Sequence, residues 1–314
     1  MGGKAYLSTQ FVNSPFIFMI NVLHLGLTFA CNMHCKNCFV SKSKDILEYE
    51  DYIRVINELY QQGLFVVIYT YGEPLLSPLF HKVTEYAKSK DLVQILMTNG
   101  SLLNEEWAEQ IKRNGISKVF VSLDNVNAEQ HDIYRGFAGS HRLAINAIET
   151  CISANLNVGV AHTISSDNVM GLFEMFDFIC DMNVRSASFL RARINGNLAP
   201  LSGIEFDHYQ SFFLHCIHKR EQLYASFHDP TLRPCLIEQL NNGLISDTVY
   251  ENFYSMNCCH QQNTISISPD GIVRHCNLSG KPIGLISKSV SISDILETNN
   301  DCHENITCCP SISQ

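Results

Sequence analysis

Apolar, strand-like runs alternate with helix-like stretches from residue 21 to residue 190, and this alternation is the strongest constraint on the fold. The six apolar runs are residues 21–28, 64–70, 92–97, 116–123, 157–163 and 186–190. The helix-like stretches lie near residues 48–62, 79–90, 104–114, 139–154 and 168–182. Strands separated by helices predict parallel β/α units rather than a sandwich or a helix bundle. Six units favour an α/β fold built as a partial (β/α)6 barrel of the TIM type, with a doubly wound sheet as the alternative.

The alternation fades after about residue 200, and four regions are predicted from this change. Residues 1–20 form an N-terminal extension, and residues 21–200 form the barrel. Residues 201–250 form a helical linker, and residues 251–314 form a small cysteine-rich domain. The chain therefore has one large catalytic-type domain and one small C-terminal module.

Charge and targeting signals exclude several classes of protein. The chain has 22 Lys and Arg against 31 Asp and Glu, a formal net charge of −9. A nucleic-acid binder or a polybasic membrane-surface protein would need a basic face instead. The apolar segment 16–30 lacks a basic start, contains Asn21 and His24, and is too short to cross a bilayer. The sequence predicts a cytoplasmic protein with no nucleic-acid or membrane partner.

The chain contains 13 cysteines, an odd number that cannot all pair within one chain. A chain of 314 residues also does not need disulfides to stay folded. The cysteines are concentrated in two groups, one at residues 31–38 and one after residue 230. Dense groups at opposite ends of the chain indicate metal or cluster ligation in a reducing compartment.

The first group, Cys31, Cys35 and Cys38, follows the first strand with the spacing C-x3-C-x2-C. Three thiolates this close together can bind one face of a cubane iron–sulfur cluster and leave its fourth iron open. A zinc site is the alternative, but zinc needs a fourth ligand. The local candidate, His34, lies between two of the thiols.

Three further motifs stand at the ends of the next three strands: Gly72-Glu73-Pro74, Thr98-Asn99-Gly100 and Ser122-Leu123-Asp124, the last followed by Arg135. Each triplet alone would be an ordinary turn. Four motifs in order at four successive strand ends resemble the radical S-adenosylmethionine (radical SAM) superfamily. The resemblance covers about residues 20–200. It extends to members with a C-terminal auxiliary-cluster domain, called SPASM or, in its shortened form, twitch.

The resemblance implies that Cys31, Cys35 and Cys38 hold a [4Fe–4S] cluster whose open iron chelates S-adenosylmethionine (SAM). It implies one-electron cleavage of SAM to a 5′-deoxyadenosyl radical, which abstracts hydrogen from a substrate carbon. The electron would come from a flavodoxin- or ferredoxin-type partner. One position departs from the family pattern, because Asn37 stands where an aromatic residue or histidine usually precedes the last cysteine.

The same resemblance assigns cofactor and substrate contacts to the strand ends. The candidate SAM-binding residues are Gly72, Glu73, Pro74, Asn99, Ser122, Asp124, Arg135 and Arg191. The backbone of Gly72 and Glu73 would receive the SAM amino group, while Ser122 and Arg135 would contact its carboxylate or ribose. The alternatives are a surface ion pair for Asp124 and Arg135 and a strand-end cap for Ser122. His162 and Arg193 are predicted substrate contacts at the barrel mouth.

The second cysteine group surrounds a predicted β-hairpin at residues 266–274 with a Pro-Asp-Gly turn. This arrangement is similar to the SPASM and twitch domains and implies one auxiliary [4Fe–4S] cluster. The implied ligands are Cys259, Cys276, Cys302 and Cys308, with Cys258 and Cys309 as alternatives to their neighbours. A zinc site made of the same four thiolates remains open.

Cysteines without a predicted ligand role fall into two kinds. Cys235, Cys258 and Cys309 are candidate hydrogen-atom donors to a substrate radical. Donation would make the reaction a redox-neutral epimerisation, whereas without it a second electron would leave through the auxiliary cluster, giving a dehydrogenation or a crosslink. Cys151, Cys180 and Cys216 lie in helix-like stretches and are predicted to be structural.

The resemblance implies a peptide natural product of the ribosomally synthesised (RiPP) type as the substrate. The roughly 20 residues before the first strand leave no room for the leader-binding domain that many peptide maturases carry. This favours an alternative, an epimerase or dehydrogenase of an aminoglycoside-like carbohydrate. A non-enzymatic iron–sulfur electron carrier is a further alternative, and it would leave the three triplets unexplained.

Overall fold

The structure, a computed structural model, describes residues 20–40, 46–194, 197–250, 263–276 and 281–298. Five cysteines with predicted roles lie outside the described residues: Cys258, Cys259, Cys302, Cys308 and Cys309. Among the described residues, no helix has the length and apolar character needed to cross a membrane.

All six predicted strands are present, and they confirm the partial barrel. They are β1 (Val22–Gly26), β2 (Val66–Thr70), β3 (Val93–Thr98), β4 (Ile116–Ser122), β5 (Val158–Ile164) and β6 (Ser186–Arg191). The accompanying helices are α1 (Tyr49–Gln61), α2 (Phe80–Ser89), α3 (Glu105–Arg113), α4 (Ala128–Arg135), α5 (Ser140–Ser153), α6 (Leu172–Asp181) and α7 (Gly203–His218). Only α4 had no counterpart in the sequence prediction.

The rest of the described chain contains shorter elements. These are β7 (Arg193–Ile194), β8 (Asn197–Leu198), β9 (Tyr224–His228), α8 (Arg233–Asn241), β10 (Thr264–Ile267), β11 (Ile272–Arg274), β12 (Gly284–Leu285) and α9 (Ile292–Thr298). The segment predicted as a helical linker thus also contains a strand, β9, which pairs in parallel with β6. This β/α repeat was missed because a single five-residue run gives a weak periodic signal.

One sheet joins the barrel to the C-terminal hairpin, in the order β12-β11-β10-β1-β2-β3-β4-β5-β6-β9. The eight strands from β10 to β9 are parallel, and β11 and β12 continue the sheet antiparallel. The predicted hairpin is present as β10 and β11, with Gly271 at φ +82 in its turn. A left-handed backbone at this position favours glycine. Because β10 pairs with β1, the predicted C-terminal module begins within the barrel sheet.

Local sequence signals explain where two of the helices begin. The side chain of Asn104 accepts a hydrogen bond from Trp107 N at 2.9 Å and caps α3, as the sequence predicts. Ser202 and Glu205 form a reciprocal capping box at the start of α7. Glu205 therefore has the capping role expected of an acid in a first helical turn.

Alternate side chains of the parallel strands face the helices or the barrel lumen. In β1, Leu23 and Leu25 are completely buried in the core under the helices, so the intervening His24 faces the lumen. The strand register carries this alternation across the sheet, because paired residues share a face. Phe189 in β6 and Phe227 in β9 are paired, and both lie on the helix-facing side.

Candidate active site

The loop that follows β1 carries the first three cysteines, and all three thiols are free. Cys31 and Cys35 are half-buried, whereas Cys38 is exposed. The C-terminal end of α4 holds this loop, because Lys36 N donates to Tyr134 O at 2.8 Å. The helix that the sequence did not predict is therefore the element that positions the cysteines.

The Gly-Glu-Pro turn after β2 packs directly on the backbone of the cysteine loop. A Cβ atom at Gly72 would lie 2.5 Å from the carbonyl oxygen of Ala30 and 2.6 Å from that of Thr28. The next amide, Glu73 N, donates to Ala30 O at 2.7 Å. Only glycine allows this approach of two backbones. Pro74 starts a short 3-10 turn and is buried, which fixes the path of the chain after the motif.

The carboxylate of Glu73 joins the second motif to the third. Its Oε1 accepts from the Thr98 hydroxyl at 2.8 Å and from Leu75 N at 3.2 Å. Its Oε2 accepts from Asn99 N at 2.8 Å. Burial raises the pKa of this carboxyl, and the three hydrogen bonds oppose that shift. Glu73 therefore uses its side chain to hold the Thr-Asn-Gly turn in place.

Asn99 is the residue of the third motif that contacts a cysteine of the loop. Its Nδ2 donates to Cys31 Sγ at 3.9 Å and to Asn32 Oδ1 at 2.9 Å. Its Oδ1 accepts from Ser101 N at 2.9 Å, which fixes the orientation of the amide. The amide thus presents a hydrogen-bond donor to one of the three cysteine sulfurs.

Asp124 and Arg135 form a buried ion pair of 2.6 Å that reaches a second thiol. Asp124 is completely buried, and its other oxygen accepts from Thr163 N at 2.7 Å. Arg135 donates through Nη1 to Cys35 Sγ at 3.8 Å. Burial raises the pKa of the Cys35 thiol, and the Arg135 guanidinium opposes that shift. The predicted alternative of a surface ion pair is wrong for these two residues, because the Asp124 side chain is fully buried and that of Arg135 is only 12% exposed.

The donor set of the loop suits an iron–sulfur cluster. Among the described residues, no three His, Cys, Asp or Glu side chains converge closely enough to hold a single metal ion. A [4Fe–4S] cluster is held by cysteine thiolates, and all three residues of the loop supply this donor. Donors from Asn99 and Arg135 to the sulfurs are the contacts by which proteins adjust such clusters.

A comparison with known families agrees with this geometry. Residues 25–177, which include all four motifs, match the radical SAM superfamily. Residues 25–177 thus form a radical SAM domain. The resemblance stated from the motifs is thereby confirmed, and radical SAM proteins use SAM and a [4Fe–4S] cluster.

Two curated relatives illustrate the range of the superfamily. Fe-coproporphyrin III synthase of Methanosarcina barkeri is 31% identical over 159 residues, which cover 49% of this chain and 39% of that protein. The antilisterial bacteriocin subtilosin biosynthesis protein AlbA of Bacillus subtilis is 26% identical over 264 residues, covering 82% of this chain and 55% of that protein. The chain thus spans 39% and 55% of the lengths of these two relatives.

A solved structure supports the fold. Streptococcus suis SuiB bound to precursor peptide SuiA matches with a TM-score of 0.66 and 15% sequence identity. The match covers 82% of this chain and 59% of that chain. At this identity the likeness shows a shared fold.

Two predicted contacts of the radical SAM domain lie on the helix-facing side of the sheet. His162 is 1% exposed, and its ring packs against Phe189 with centroids 5.6 Å apart. Arg191 is 5% exposed, pairs with Asp229 at 3.0 Å and lies over the Tyr209 ring. The structure therefore places neither the predicted substrate contact His162 nor the predicted SAM contact Arg191 in the lumen. The reason is strand alternation, since both residues share a face with the core.

The remaining predicted contacts lie on the lumen side. Ser122 ends β4 opposite Ala161 in β5 and is partly exposed. Arg193, at the start of β7, lies close enough to His228 to influence its charge. No sequence motif marks His24 or His228 as a site residue. In β1 and β9 each histidine stands at an alternate position that faces the lumen. This alternation can be recognised only when the strand boundaries are known.

The hairpin brings one predicted auxiliary-cluster ligand close to the Gly-Glu-Pro turn. Cys276 follows β11 and is buried, and it lies near enough to Tyr71 to affect the phenol. Tyr71 has φ +64 and bonds Ser266 in β10 through its hydroxyl at 2.8 Å. This contact connects the second motif with the hairpin.

The described cysteines without a ligand role lie in helices. Cys151 and Cys216 are completely buried, in agreement with structural roles. Cys235 lies in α8, within the predicted helical linker, and its side chain packs against the core. Burial raises the pKa of this thiol.

Proposed function

We propose that this chain is a radical SAM enzyme that abstracts hydrogen from a carbon atom of a RiPP-type peptide substrate. The observation that carries the proposal is the convergence of two strand-end motifs on the cysteine sulfurs. Asn99 donates to Cys31 and Arg135 donates to Cys35, from the ends of different β/α units. A loop whose cysteines have no shared function would not need hydrogen-bond donors from two different β/α units.

The chain's own residues have distinct tasks in this proposal. Cys31, Cys35 and Cys38 hold the cluster, and the backbone of Gly72 and Glu73 receives the SAM amino group. When bound, the cluster and SAM supply the 5′-deoxyadenosyl radical that removes hydrogen from the substrate. The barrel walls keep water away from that position.

Further SAM contacts are proposed for the same rim. Ser122 and Arg135 contact the carboxylate or ribose of SAM, and Asn99 and Asp124 keep these groups in position. A flavodoxin- or ferredoxin-type protein is the proposed electron donor.

Two names among the comparisons support a peptide as the substrate. AlbA belongs to the biosynthesis of the bacteriocin subtilosin, and SuiB was solved with a precursor peptide. Fe-coproporphyrin III synthase is named for a different kind of product, so the substrate class needs its own test.

A second, auxiliary [4Fe–4S] cluster is part of the proposal. Its proposed ligands are Cys276, which lies within the described residues, and Cys259, Cys302 and Cys308, which do not. Cys235, Cys258 and Cys309 remain proposed hydrogen-atom donors. Support comes from the buried position of Cys276 beside the hairpin and near Tyr71.

The first experiment tests radical chemistry. Anaerobically reconstituted protein is incubated with SAM and dithionite, and 5′-deoxyadenosine is measured by chromatography. We expect formation by the wild type, none by Cys35→Ala, and wild-type levels by the matched control Cys180→Ala in α6. Equal yields from wild type and Cys35→Ala would contradict the proposal.

Iron content and product analysis test the finer parts. About eight irons per chain are expected for two four-iron clusters, while about four would remove the auxiliary cluster from the proposal. A precursor peptide encoded beside the gene is then added in deuterated water. Deuterium in the peptide indicates a thiol donor and epimerisation, and loss of two hydrogens indicates oxidation or a crosslink. A modified sugar or tetrapyrrole with unmodified peptide would overturn the peptide assignment.

A further inference from the structure

The lumen face of the sheet carries no acid, although the chain has a formal net charge of −9. The basic and imidazole side chains on the lumen face of the eight parallel strands are His24, Lys118 and His228. Two acids near the C-terminal rim are already engaged, because Glu73 accepts three hydrogen bonds and Asp124 pairs with Arg135. On the described strands, the lumen face therefore carries no carboxylate that would repel a bound anion.

His24 lies in the middle of β1 on the lumen face. Its neighbours on the same face are Ile68 in β2 and Ser266 in β10, while Leu23 and Leu25 point to the helices. The Nδ1 atom of His24 is buried and makes no hydrogen bond within the described residues. A buried polar nitrogen without a partner is destabilising unless a ligand supplies one.

His228 approaches His24 from the other side of the lumen. It ends β9, where Phe227 faces the helices and the next position therefore faces inward. β9 and β1 are six places apart in the sheet order, so an interaction between them crosses the lumen. Burial and repulsion from His228 lower the pKa of His24 to about 4. Burial and the Arg193 guanidinium lower the pKa of His228 to about 4 as well.

We infer that His24, His228 and Arg193 form a subsite for a carboxylate group of the substrate. For a peptide, the group is an acidic side chain or the C-terminus. This inference names the substrate group recognised in the same lumen and so rests on the proposed function. A carboxylate between the two imidazoles offsets their mutual repulsion and that of Arg193, and charge-assisted hydrogen bonds form to all three. Binding takes up protons from solvent, because the imidazoles are neutral at pH 7 without the anion.

Acetate is the probe, and binding is measured on the holoenzyme with its cluster oxidised and without turnover. The protein is labelled with 15N-histidine, and the imidazole signals are assigned with His24→Gln and His228→Gln. At pH 7 we expect acetate to move both signals toward imidazolium shifts, while the uncharged isostere acetamide does not. Arg193→Gln should raise the half-saturating acetate concentration about tenfold, the effect of one lost charge-assisted hydrogen bond.

Arg185→Gln is the matched control, because Arg185 is exposed and bonds only the Gln222 carbonyl among the contacts described for it. It should leave acetate binding unchanged. Equal responses to acetate and acetamide, or no response in the wild type, would overturn the subsite. Stronger binding of inorganic phosphate than of acetate would overturn the carboxylate assignment. Since the assay needs no SAM cleavage, its failure is distinguishable from a failure to form 5′-deoxyadenosine.

Discussion

Two buried ion pairs lie at the rim of this barrel and serve different purposes. Asp124–Arg135, beyond β4, extends to the sulfur of Cys35. Arg191, the last residue of β6, pairs with Asp229 just after β9 and contacts the Tyr209 ring on the helix side instead. Each pair joins one acid to one arginine. Location relative to the sheet, not residue type, therefore decides whether a charged residue at the rim contacts the cysteine site.

The substitution with the largest expected effect lies on the side of the barrel that carries the cysteine loop. Gly72→Ala places a Cβ atom 2.5 Å from a backbone carbonyl of the cysteine loop, so turn and loop cannot keep their packing. We expect loss of the four irons held by Cys31, Cys35 and Cys38, about half of the iron content, and near-complete loss of SAM binding, measured by iron analysis and equilibrium dialysis. Gly171→Ala, where no atom lies within 4 Å of the added Cβ, is the control. Normal iron content in Gly72→Ala would show that this approach is dispensable.

Neutralising each acid compares the two ion pairs directly. Asp124→Asn and Asp229→Asn each leave a buried arginine without its counter-charge, and each should lower the free energy of unfolding by about 3–5 kcal/mol. Only Asp124→Asn should also shift the reduction potential of the cluster, because only Arg135 contacts a cysteine sulfur. Urea denaturation and EPR-monitored redox titration give the two readouts. A shifted cluster reduction potential in Asp229→Asn would show that the two ion pairs do not differ in their effect on the cluster.

Acid should destabilise the lumen through its imidazoles. The pKa of His24 and of His228 falls from 6.5 to about 4 on folding, so the unfolded chain binds more protons between these values. Stability is therefore fully present above pH 6.5 and is lost as the pH falls toward 4. At pH 5 each shift of this size contributes about 2 kcal/mol of destabilisation.

The measurement is urea unfolding at pH 7 and pH 5. His24→Gln should lose less stability between the two pH values than the wild type. His131, whose pKa is also lowered to about 4 by burial, contributes equally in both proteins. The exposed His218→Gln should behave as the wild type. If His24→Gln lost as much unfolding free energy between pH 7 and pH 5 as the wild type, the buried placement of the His24 imidazole would be contradicted.

Sequence patterns predicted the elements of the fold and the motif side of the site. Apolar runs and triplets such as Gly72-Glu73-Pro74 are local signals, and they lie where expected. The pairing of β10 with β1 is non-local and has no such signal. The prediction that His162 and Arg191 point to the barrel mouth is wrong for another reason. Successive residues of a strand face opposite sides of the sheet, so an error of one residue in placing the strand reverses the predicted face. The role of α4 depended on a backbone contact with the cysteine loop, which no pattern encodes.

The smallest expected effect tests that facing at a single residue. His162 Nδ1 donates one hydrogen bond to Leu123 O at 3.0 Å, and its Nε2 is buried without a partner in the described residues. His162→Phe removes the hydrogen bond, worth about 1 kcal/mol, but also removes the unpartnered nitrogen beside Phe189. The two effects oppose each other, so unfolding free energy should change by less than about 1 kcal/mol.

Acetate binding and 5′-deoxyadenosine formation should stay at wild-type levels in His162→Phe, because the side chain faces the helices. The lumen-facing counterpart His24→Phe should abolish the acetate response while leaving SAM cleavage intact. If His162→Phe instead weakened acetate binding as His24→Phe does, β5 would present its odd-numbered face to the core. The assignment of faces from β5 to β9 would then have to be reversed.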